Sequence, residues 1–365
     1  MQRRSNSERD APLRTAFFSI AAQSDNLGDV DIRKRVAEWI TSAGGPMTVF
    51  VGTMPSGYVE CFRLPAHARL VSRPAVFQWL LMRSVVRRRA ALIFAPGPLV
   101  LGKTVKSALK SLVNLANVRA VGLSGGPVLA VGRAFRGSGR LTRAIDCRSI
   151  PKFDLFVVRD TSSAQALGIP LRDGPDLAFE GPVREPGGTR GRSVVISLRA
   201  DREINAESLG RSVAHLKRLG WEPIFISQVR RDDSQHEQLA QRFDCRAILW
   251  RDRSHVDQFA LIEKEYSSAH AVVTNRLHAL IFGLRAGCLG VAVVDGGSNK
   301  LTATMSGRVV VPTVVAENID LTGESSADFW TSGAEVVRLE TYRQVQACSV
   351  ELRTLRREFV DILAR

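Results

Sequence analysis

Long hydrophobic runs, paired cysteines and clustered aromatic residues are all scarce in this chain of 365 residues. Its longest apolar stretches, such as residues 16–22 and 90–98, are far shorter than the ~20 residues that a membrane-spanning helix needs. The five cysteines are scattered, without a CxxC pair or a histidine at metal-ligand spacing. The sequence therefore indicates neither disulfides nor a zinc site, and we expect no bound metal.

Acidic residues are too few to balance the basic ones, since 36 Asp and Glu stand against 51 Lys and Arg, a formal net charge of +15. This charge favours an anionic partner, which is a phosphate-bearing small molecule, an anionic membrane surface or a nucleic acid. Residues 1–14 begin with arginines, but Glu8 and Asp10 follow. Because this layout is not that of a signal peptide, we expect a flexible leader on a cytoplasmic protein.

The chain does contain short runs of Val, Ile, Leu and Phe that alternate with helical patterns, which predicts βαβ units and parallel sheets. The candidate strands are residues 15–21, 47–51, 91–95, 119–123, 154–158, 194–198, 223–226, 247–250, 271–274 and 290–294. A stretch rich in Gly, Pro and Arg, at residues 181–192, is the best candidate linker. The sequence thus predicts an α/β chain with two doubly wound Rossmann-like domains, residues 15–180 and 193–330.

The last segment, residues 331–365, carries an apolar stripe at alternating steps of three and four. Its members are Val345, Cys348, Leu352, Leu355, Phe359 and Ile362. The spacing predicts a helix with one buried face. We expect this helix to pack back onto the domains, and a short coiled coil is the alternative.

Polar residues interrupt the apolar run of residues 272–287, VVTNRLHALIFGLRAG. The pattern predicts a buried strand, an N-cap at Thr274 or Asn275, and a helix whose first turn holds Arg276 and His278. The free N–H groups and the positive dipole end of such a turn favour an anion. Arg276 would add bidentate recognition, and His278 a hydrogen bond or a proton. The alternative is a salt-bridged arginine beside a structural histidine.

Other strand ends carry residues of the same kind. After the first strand, Asn26, Gly28 and Asp29 form a polar turn, in which Gly28 permits a tight turn and Asp29 is expected to point into an interdomain cleft. A plain N-cap and turn is the alternative there. Arg159 ends one strand, and Ser197 and Arg199 end the first strand of the second half. We expect Arg159, Arg199, Arg276 and His278 to surround one anionic ligand.

The ordered set of these motifs resembles the polysaccharide pyruvyltransferase family. The motifs are Asn26-x-Gly28-Asp29, Arg159-Asp160-x-x-Ser163 with Leu167-Gly168, Asp176-x-Ala178-Phe179, Ser197-x-Arg199, Arg276-x-His278 and Lys300. Where relatives show a run of glycines, this chain has Ala95-Pro96-Gly97-Pro98, while the pair Gly125-Gly126 is retained.

The resemblance implies a GT-B-like pair of domains that transfers a pyruvyl group from phosphoenolpyruvate to sugar hydroxyls as a ketal, in the synthesis of a cell-surface polysaccharide or glycolipid. It makes His278 catalytic, with Asp29 as a further candidate, and needs no cofactor besides the co-substrate. The implied donor-binding residues are Arg159, Arg199, Arg276, Lys300, Ser197 and Asn275. The implied acceptor side includes Asn26, Gly28, Gly97 and Gly125.

The chemistry of phosphoenolpyruvate suits these residues. Arginine forks and a helix N-terminus neutralise its phosphate and carboxylate. Ketal formation requires protonation of the methylene carbon, for which His278 is the natural acid, and Asp29, if it faces the acceptor, would take the proton of the acceptor hydroxyl.

Two other classes of protein remain open at this point. A nucleotide-sugar glycosyltransferase of the same shape would use the Arg and Lys side chains for a diphosphate leaving group. A nucleic-acid-binding protein would use the arginines as a surface patch, but aromatic residues are only 7% of the chain and are not interleaved with the arginines as stacking platforms.

The first half also carries arginines beside Phe, Trp and Leu, in residues 73–90 and 132–148. This composition predicts reversible contact with an anionic membrane or a polyanionic lipid-linked acceptor. A solvated basic surface is the alternative.

Overall fold

The computed structural model describes residues 13–187, 190–295, 300–305, 307–322, 330 and 332–365. Of Lys300, Thr302, Ala303 and Ser332 it describes the backbone only. Most of the predicted leader, residues 1–12, therefore lies outside the described residues. In the described part of the chain, none of the helices has the length and hydrophobicity needed to cross a bilayer.

The first half of the chain forms one parallel sheet. Its strands are β1 (Thr15–Ser19), β2 (Met47–Phe50), β3 (Arg69–Val71), β4 (Ala90–Phe94), β5 (Gly97–Leu101), β6 (Val128–Gly137), β7 (Leu155–Val158) and β8 (Arg172–Asp173). They follow the order β3-β2-β1-β4-β6-β7-β8, and β5 continues the line of β4 along β6 after a break at Ala95 and Pro96. Its central strands are buried on both faces, because helices cover both sides of the sheet.

Helices connect these strands, as parallel pairing requires. They are α1 (Leu27–Ser42), α2 (Ser56–Glu60), α3 (Pro74–Val86), α4 (Val105–Leu123), α5 (Arg140–Ser149) and α6 (Thr161–Leu167). A 3₁₀ turn, Leu177–Phe179, follows β8 and packs against α1. This turn ends the first half close to the junction with the second.

The second half forms a sheet in the order β11-β10-β9-β12-β13-β14, again with parallel neighbours. Its strands are β9 (Ser193–Ser197), β10 (Glu222–Ile226), β11 (Arg246–Ile248), β12 (Ala271–Thr274), β13 (Leu289–Val294) and β14 (Thr313–Val315). Its helices are α7 (Ala206–Arg218), α8 (Asp233–Arg242), α9 (His255–Ser268), α10 (Leu277–Arg285) and α11 (Lys300–Met305). Counted from β9, this is the doubly wound order 3-2-1-4-5-6, so the predicted fold class is confirmed.

The predicted strand at residues 119–123 is wrong, because these residues are the last turns of α4. Thr104 caps this helix by accepting a hydrogen bond from the Ser107 N–H at 3.2 Å. The helix buries one face through Ala108, Ser111, Leu115, Val118 and Val121. These positions repeat at steps of three and four, which is helical spacing, but the valines in the segment also resemble a strand. The strand of this region is β6, which starts after the Gly125-Gly126 turn.

The C-terminal helix α12 (Ser332–Leu363) packs back onto both halves, as predicted. Its predicted stripe is buried at Val345, Cys348, Leu352, Leu355 and Phe359, while Ile362 is partly buried. The Phe359 ring meets Trp39 of α1 edge-on, with centroids 5.5 Å apart. Since the chain itself covers the stripe, the coiled-coil alternative is not needed.

Candidate active site

A narrow cavity lies between the two sheets, at the carboxyl ends of their central strands. In each sheet this is the point where the strand order reverses, between β1 and β4 and between β9 and β12, and such crevices are where open α/β sheets bind ligands. The polar residues on its wall are Asn26, Arg199, Gln228, Asn275, Arg276 and His278. Of the sequence-predicted residues, Asn26 from the first half thus meets Arg199, Asn275, Arg276 and His278 from the second half on the wall of one cavity.

Hydrogen bonds to β9 fix the turn that follows β12. The Thr274 hydroxyl donates to the Ser197 carbonyl, and it accepts from the Arg276 N–H at 2.9 Å. The Asn275 Oδ1 accepts from the Arg199 N–H at 2.8 Å. Because both ends of the turn are held, the following helix α10 begins at a defined position over the cavity.

The first turn of α10 has no side-chain cap among the described residues. Arg276 occupies the N-cap position, so the predicted cap at Thr274 or Asn275 is wrong by one or two residues. The physical reason is that the side chains of Thr274 and Asn275 are occupied by bonds around the β9–β12 junction. The N–H groups of this turn therefore remain available to a ligand.

Arg276 is paired with a buried carboxylate from the second half. Its Nη2 donates to Oδ1 of Asp232, which is fully buried and also accepts from the Ala200 N–H at 3.0 Å. Burial lowers the pKa of Arg276, and Asp232 opposes this effect, so the guanidinium stays charged. The Nε of Arg276 is buried and has no hydrogen-bond partner among the described residues. The alternative of a salt-bridged arginine is thus correct for Nη2 of Arg276, which is one of its three guanidinium nitrogens.

His278 rests against the first turn of α1. A Cβ atom added at Gly28 would lie 1.9 Å from Nδ1 of His278, which is far inside van der Waals contact. Gly28 is the second residue of α1, so its role is not the tight turn that the sequence suggested. Glycine is required because the imidazole packs directly on its backbone.

The other side of the imidazole faces Asp176. Nε2 of His278 lies 3.6 Å from Oδ1 of Asp176, which is ion-pair range rather than a hydrogen bond, and it has no hydrogen-bond partner among the described residues. Asp176 accepts from Nη1 of Arg159 at 2.9 Å and from the Ala178 N–H at 3.0 Å. Burial alone would raise the pKa of Asp176, but Arg159, His278 and the backbone donor hold it well below its usual value.

Arg159 follows β7 as predicted, but its side chain is 1% exposed and lies behind Asp176 rather than on the cavity wall. Its Nε and Nη2 are buried without a partner in the described part of the structure. Arg159 therefore keeps Asp176 ionised and in place beneath His278.

Arg199 lines the cavity from the end of β9, and it also binds Asp201 through two parallel hydrogen bonds of 2.8 and 2.7 Å. Ser197 is the last residue of β9 and is fully buried. Its carbonyl holds Thr274, so Ser197 supports the turn from below.

The first half reaches the cavity through the loop before α1. Asn26 caps α1 by accepting from the Gly28 N–H at 3.0 Å. The Leu27 N–H donates to the Gln228 carbonyl, and the Arg230 N–H donates to the Asp25 carbonyl. These bonds join the two halves beside the cavity.

Asp29 lies in the first turn of α1, next to Gly28. Its carboxylate is 3.8 Å from Nη1 of Arg33, one turn along the same helix, rather than on the cavity wall. Gly97 starts β5 at the carboxyl edge of the first sheet with φ +105°, a conformation that favours glycine. The side chain of Lys300 lies outside the described residues, and its backbone begins α11.

The prediction that Gly125 lies on the acceptor side is wrong. Residues 124–127 follow a helix and precede β6, so Gly125 is at the amino ends of the strands. A groove of about 900 Å³ opens there, lined by Gly125, Arg119 and Ile362 among others. It is larger than the cavity at His278, and its lining includes the basic residues Arg14, Arg119, Lys152 and Arg365 beside Asp154. It lies at the opposite end of the strands from the point where the strand order reverses, and none of its described lining residues is a histidine.

Two site residues, Asp232 and Gln228, were missed in the sequence. Gln228 is two positions past the predicted strand at residues 223–226, so the rule that identified the other strand ends would have found it, whereas Asp232 is six positions past that strand. Among the described residues there is no group of three or more His, Cys, Asp or Glu side chains that could hold a metal ion.

A sequence model of the family described as polysaccharide pyruvyl transferase matches residues 56–294, well over half of the chain. The chain belongs to this family, which is a family of enzymes. The matched residues include Arg159, Asp176, Arg199, Arg276 and His278, whereas α1 lies before them. No curated protein matches the chain.

The fold of this family member is similar to solved structures of low sequence identity. A glycosyltransferase from Rickettsia africae ESF-5 has 11% identity and a TM-score of 0.61, with 97% of this chain and 99% of that chain covered. A UDP-GlcNAc 2-epimerase from Neisseria meningitidis, bound to UDP-GlcNAc, has 10% identity and a TM-score of 0.57, with 93% and 98% covered. MurG from Acinetobacter baumannii has 11% identity and a TM-score of 0.51, with 95% and 99% covered. The architecture is therefore GT-B-like.

Proposed function

We propose that this enzyme transfers a pyruvyl group from phosphoenolpyruvate to two hydroxyl groups of a sugar, forming a ketal and releasing inorganic phosphate. The observation that carries the proposal is the placement of His278. Its imidazole lies between the first turn of α1 and the Asp176 carboxylate, with Arg276 two residues away at the uncapped end of α10. A proton donor and an anion site thus adjoin each other in one cavity.

The anion site suits a small, highly charged donor. Phosphoenolpyruvate carries a phosphate and a carboxylate, and its charge matches the N–H groups of α10, the Arg276 fork and Arg199. The Nδ2 of Asn275 and the Nε of Arg276 are buried without partners among the described residues, so both have donor capacity left for a ligand. Lys300 is a further candidate for the same anion.

The proposed reaction starts with transfer of a proton from His278 to the methylene carbon of the donor, which becomes a methyl group. The first sugar hydroxyl attacks the cationic central carbon and loses its proton to a base. The bond from this carbon to the phosphate oxygen then breaks, and the phosphate leaves with its electron pair. The second hydroxyl attacks the same carbon, and its proton goes to the departing phosphate. General acid and base groups each contribute roughly 100-fold or more to such steps.

Asp176 has a defined part in this scheme. It is ionised and lies 3.6 Å from the imidazole, so it stabilises the protonated ring before transfer. Arg159 acts through Asp176 and is a positioning residue. For the base, Asp29 remains our candidate, because it adjoins Gly28 at the end of α1 that meets His278.

The acceptor is proposed to be a sugar, oligosaccharide or glycolipid of a cell-surface polysaccharide pathway, modified in the cytoplasm. Family membership supports a sugar acceptor. Asn26 lines the cavity from the first half, and we keep Asn26, Gly28 and Gly97 as candidates for the acceptor side. The similarity to glycosyltransferases concerns the fold alone, so a nucleotide-sugar donor is the competing possibility.

Phosphate release tests donor and reaction together. The purified protein is incubated with phosphoenolpyruvate and a panel of sugar acceptors, and inorganic phosphate is measured over time. We expect phosphate release that depends on a sugar acceptor, and a ketal product, detected by mass spectrometry, that does not form when one of the two acceptor hydroxyls is methylated. Release of a nucleoside diphosphate from a nucleotide sugar, without turnover of phosphoenolpyruvate, would identify a glycosyltransferase instead.

A further inference from the structure

One continuous part of the chain holds the excess of positive charge. Between Glu60 and Asp146 there is no Asp or Glu, while the same 85 residues contain 15 Lys and Arg. The helices α3, α4 and α5 lie within or begin in this segment. Their surface therefore lacks the carboxylates that normally accompany basic side chains on a soluble protein.

The helices α3 and α4 lie side by side on one face of the first sheet. Gln78 of α3 and Asn117 of α4 exchange two hydrogen bonds of 2.6 and 3.0 Å. The inner faces of both helices, through Leu80, Leu81 and Val118 among others, pack on the sheet in one apolar cluster. Their outer faces consequently point away from the sheet in the same direction.

These outer faces are apolar as well as basic. On α4, an exposed apolar stripe repeats at steps of three and four through Val105, Leu109, Leu112 and Ala116, and Leu123 extends it two turns further along the helix. Lys106 and Lys110 are exposed beside it. On α3, Trp79 is 56% exposed, and the Arg83 guanidinium lies over its ring, 5.3 Å from the centroid. Exposed apolar residues in a row of this kind mark an interaction surface.

We propose that the outer face of α3 and α4 docks the enzyme reversibly onto a bilayer containing anionic lipids. Lysines and arginines attract anionic headgroups, at about 1 kcal/mol for each residue near the surface. The Leu and Val side chains and Trp79 enter the interfacial region between headgroups and acyl chains. The pattern of a basic helix with one apolar stripe matches both requirements.

Charge decides between this occupant and a second copy of the chain. Two copies packed through this face would bring two carboxylate-free surfaces together, and like charges in contact are repulsive. A nucleic acid would match the charge, but phosphate contacts leave no role for an exposed Leu and Val stripe. An anionic bilayer accounts for both the charge and the apolar stripe.

Co-sedimentation with vesicles tests the proposal. One vesicle preparation is phosphatidylcholine alone, and the other contains about 30% phosphatidylglycerol, a headgroup that supplies the anionic surface. We expect the intact protein to pellet with the anionic vesicles at low salt, to stay in solution with the neutral ones, and to be released as salt screens the charges.

Two paired substitutions separate the apolar and ionic parts of the surface. Leu109→Ser with Leu112→Ser removes the centre of the stripe, and Lys106→Glu with Lys110→Glu reverses two charges. Each pair is expected to weaken partition into anionic vesicles by about tenfold or more. All four side chains are exposed, so the fold and the release of phosphate from phosphoenolpyruvate with a soluble acceptor should be unchanged.

The matched controls lie on other helices. Val336→Ser with Val350→Ser removes two exposed valines from α12, and Lys264→Glu with Arg357→Glu reverses two exposed charges on α9 and α12. Neither pair should change partition. Equal pelleting by all variants, or no pelleting of the intact protein, would overturn the proposal. So would a dimer in solution that the Leu109 and Leu112 pair abolishes, or binding to duplex DNA that matches vesicle binding and ignores that pair.

Discussion

Two helices meet at the candidate site, and they begin in opposite ways. Both follow central strands of their sheets, α1 after β1 and α10 after β12. In α1, the Asn26 side chain accepts from the backbone of the first turn, whereas α10 has no side-chain cap among the described residues. One helix end is satisfied by the chain itself, and the other leaves its donors for a ligand.

The side chains of the two first turns differ in the same sense. The first turn of α1 presents Gly28 to its partner, and that of α10 presents His278. The first turn of α1 thus provides a backbone surface on which the imidazole packs, and the first turn of α10 provides the imidazole itself. From this difference we infer that α1 positions the imidazole, while α10 binds the donor and carries the acid.

The largest effect, on the free energy of unfolding, is expected for the buried ion pair of Asp176 and Arg159, which lies next to His278. Asp176→Asn leaves the Arg159 guanidinium, which is 1% exposed, without a carboxylate. Removing one partner of a buried pair costs about 3–5 kcal/mol, and urea unfolding measures this loss. As a control, Asp201→Asn breaks the exposed pair with Arg199 and should cost about 1 kcal/mol or less. Equal losses for both variants would show that Asp176 has no special place in the fold.

The contact between the two helices can be broken at Gly28. Gly28→Ala places a methyl group 1.9 Å from the His278 ring, so the imidazole must move, and a displacement of ~1 Å at a catalytic group costs about 100-fold in rate. The matched control is Gly122→Ala in α4, where a Cβ meets nothing within 4 Å. That variant should keep full activity and gain roughly 0.5 kcal/mol of stability. Full activity of Gly28→Ala would refute the supporting role of α1.

The cap of α1 sharpens the comparison further. Asn26→Ala removes the bond to the Gly28 N–H and should lower the free energy of unfolding by about 1 kcal/mol. The Asn205 side chain caps α7 in the same way, by accepting from the backbone N–H groups of Glu207 and Ser208. Asn205→Ala should therefore lower the free energy of unfolding by a similar amount. Only the first variant should also raise the KM for phosphoenolpyruvate or lower kcat, since only Asn26 lines the cavity. If both variants lose activity alike, the effect is one of stability.

The smallest effect concerns acid stability of the half that carries α10. Burial lowers the pKa of His236 to about 4, and its ring accepts the Leu198 N–H at 2.9 Å. A histidine whose pKa in the folded state lies below its unfolded value of about 6.5 stabilises the fold above that value. This contribution is lost as the pH falls from about 6.5 towards 4, by about 1 kcal/mol between pH 7 and pH 5.5.

His236→Gln does not titrate and should lose less stability over this pH interval than the parent protein, as measured by urea unfolding at both pH values. The exposed His67→Gln provides the control and should behave like the parent. If the free energy of unfolding of all three proteins falls equally between pH 7 and pH 5.5, His236 is not a source of the acid sensitivity.

Much of the fold could be predicted because its information is local. The buried strands are continuous apolar runs, and the α12 stripe repeats at helical spacing, so both were visible in the sequence. Arg276 and His278 were found because a polar turn after a buried strand is equally local. The strand at residues 119–123 was misassigned because a helix face rich in valine resembles a strand over five residues.

The remaining features depend on contacts between distant residues. Gly28 and His278 are 250 positions apart, and nothing near Gly28 indicates that an imidazole will pack on it. Asp232 lies in a polar stretch that shows no sign of its burial or of its bond to Arg276. Such pairings arise only when the two sheets come together, which is why the sequence identified the strand ends but not their partners.

The central claim is that His278 supplies a proton while its neighbours bind the donor, and His278→Asn tests it most directly. Asparagine keeps much of the shape and a hydrogen-bond donor but cannot act as an acid near neutral pH. With His67→Asn as the matched control, kcat and KM for phosphoenolpyruvate are measured at saturating acceptor. The account predicts that kcat falls by ~100-fold or more while KM changes little. A His278→Asn variant that turns over at the parent rate with saturating donor would contradict it.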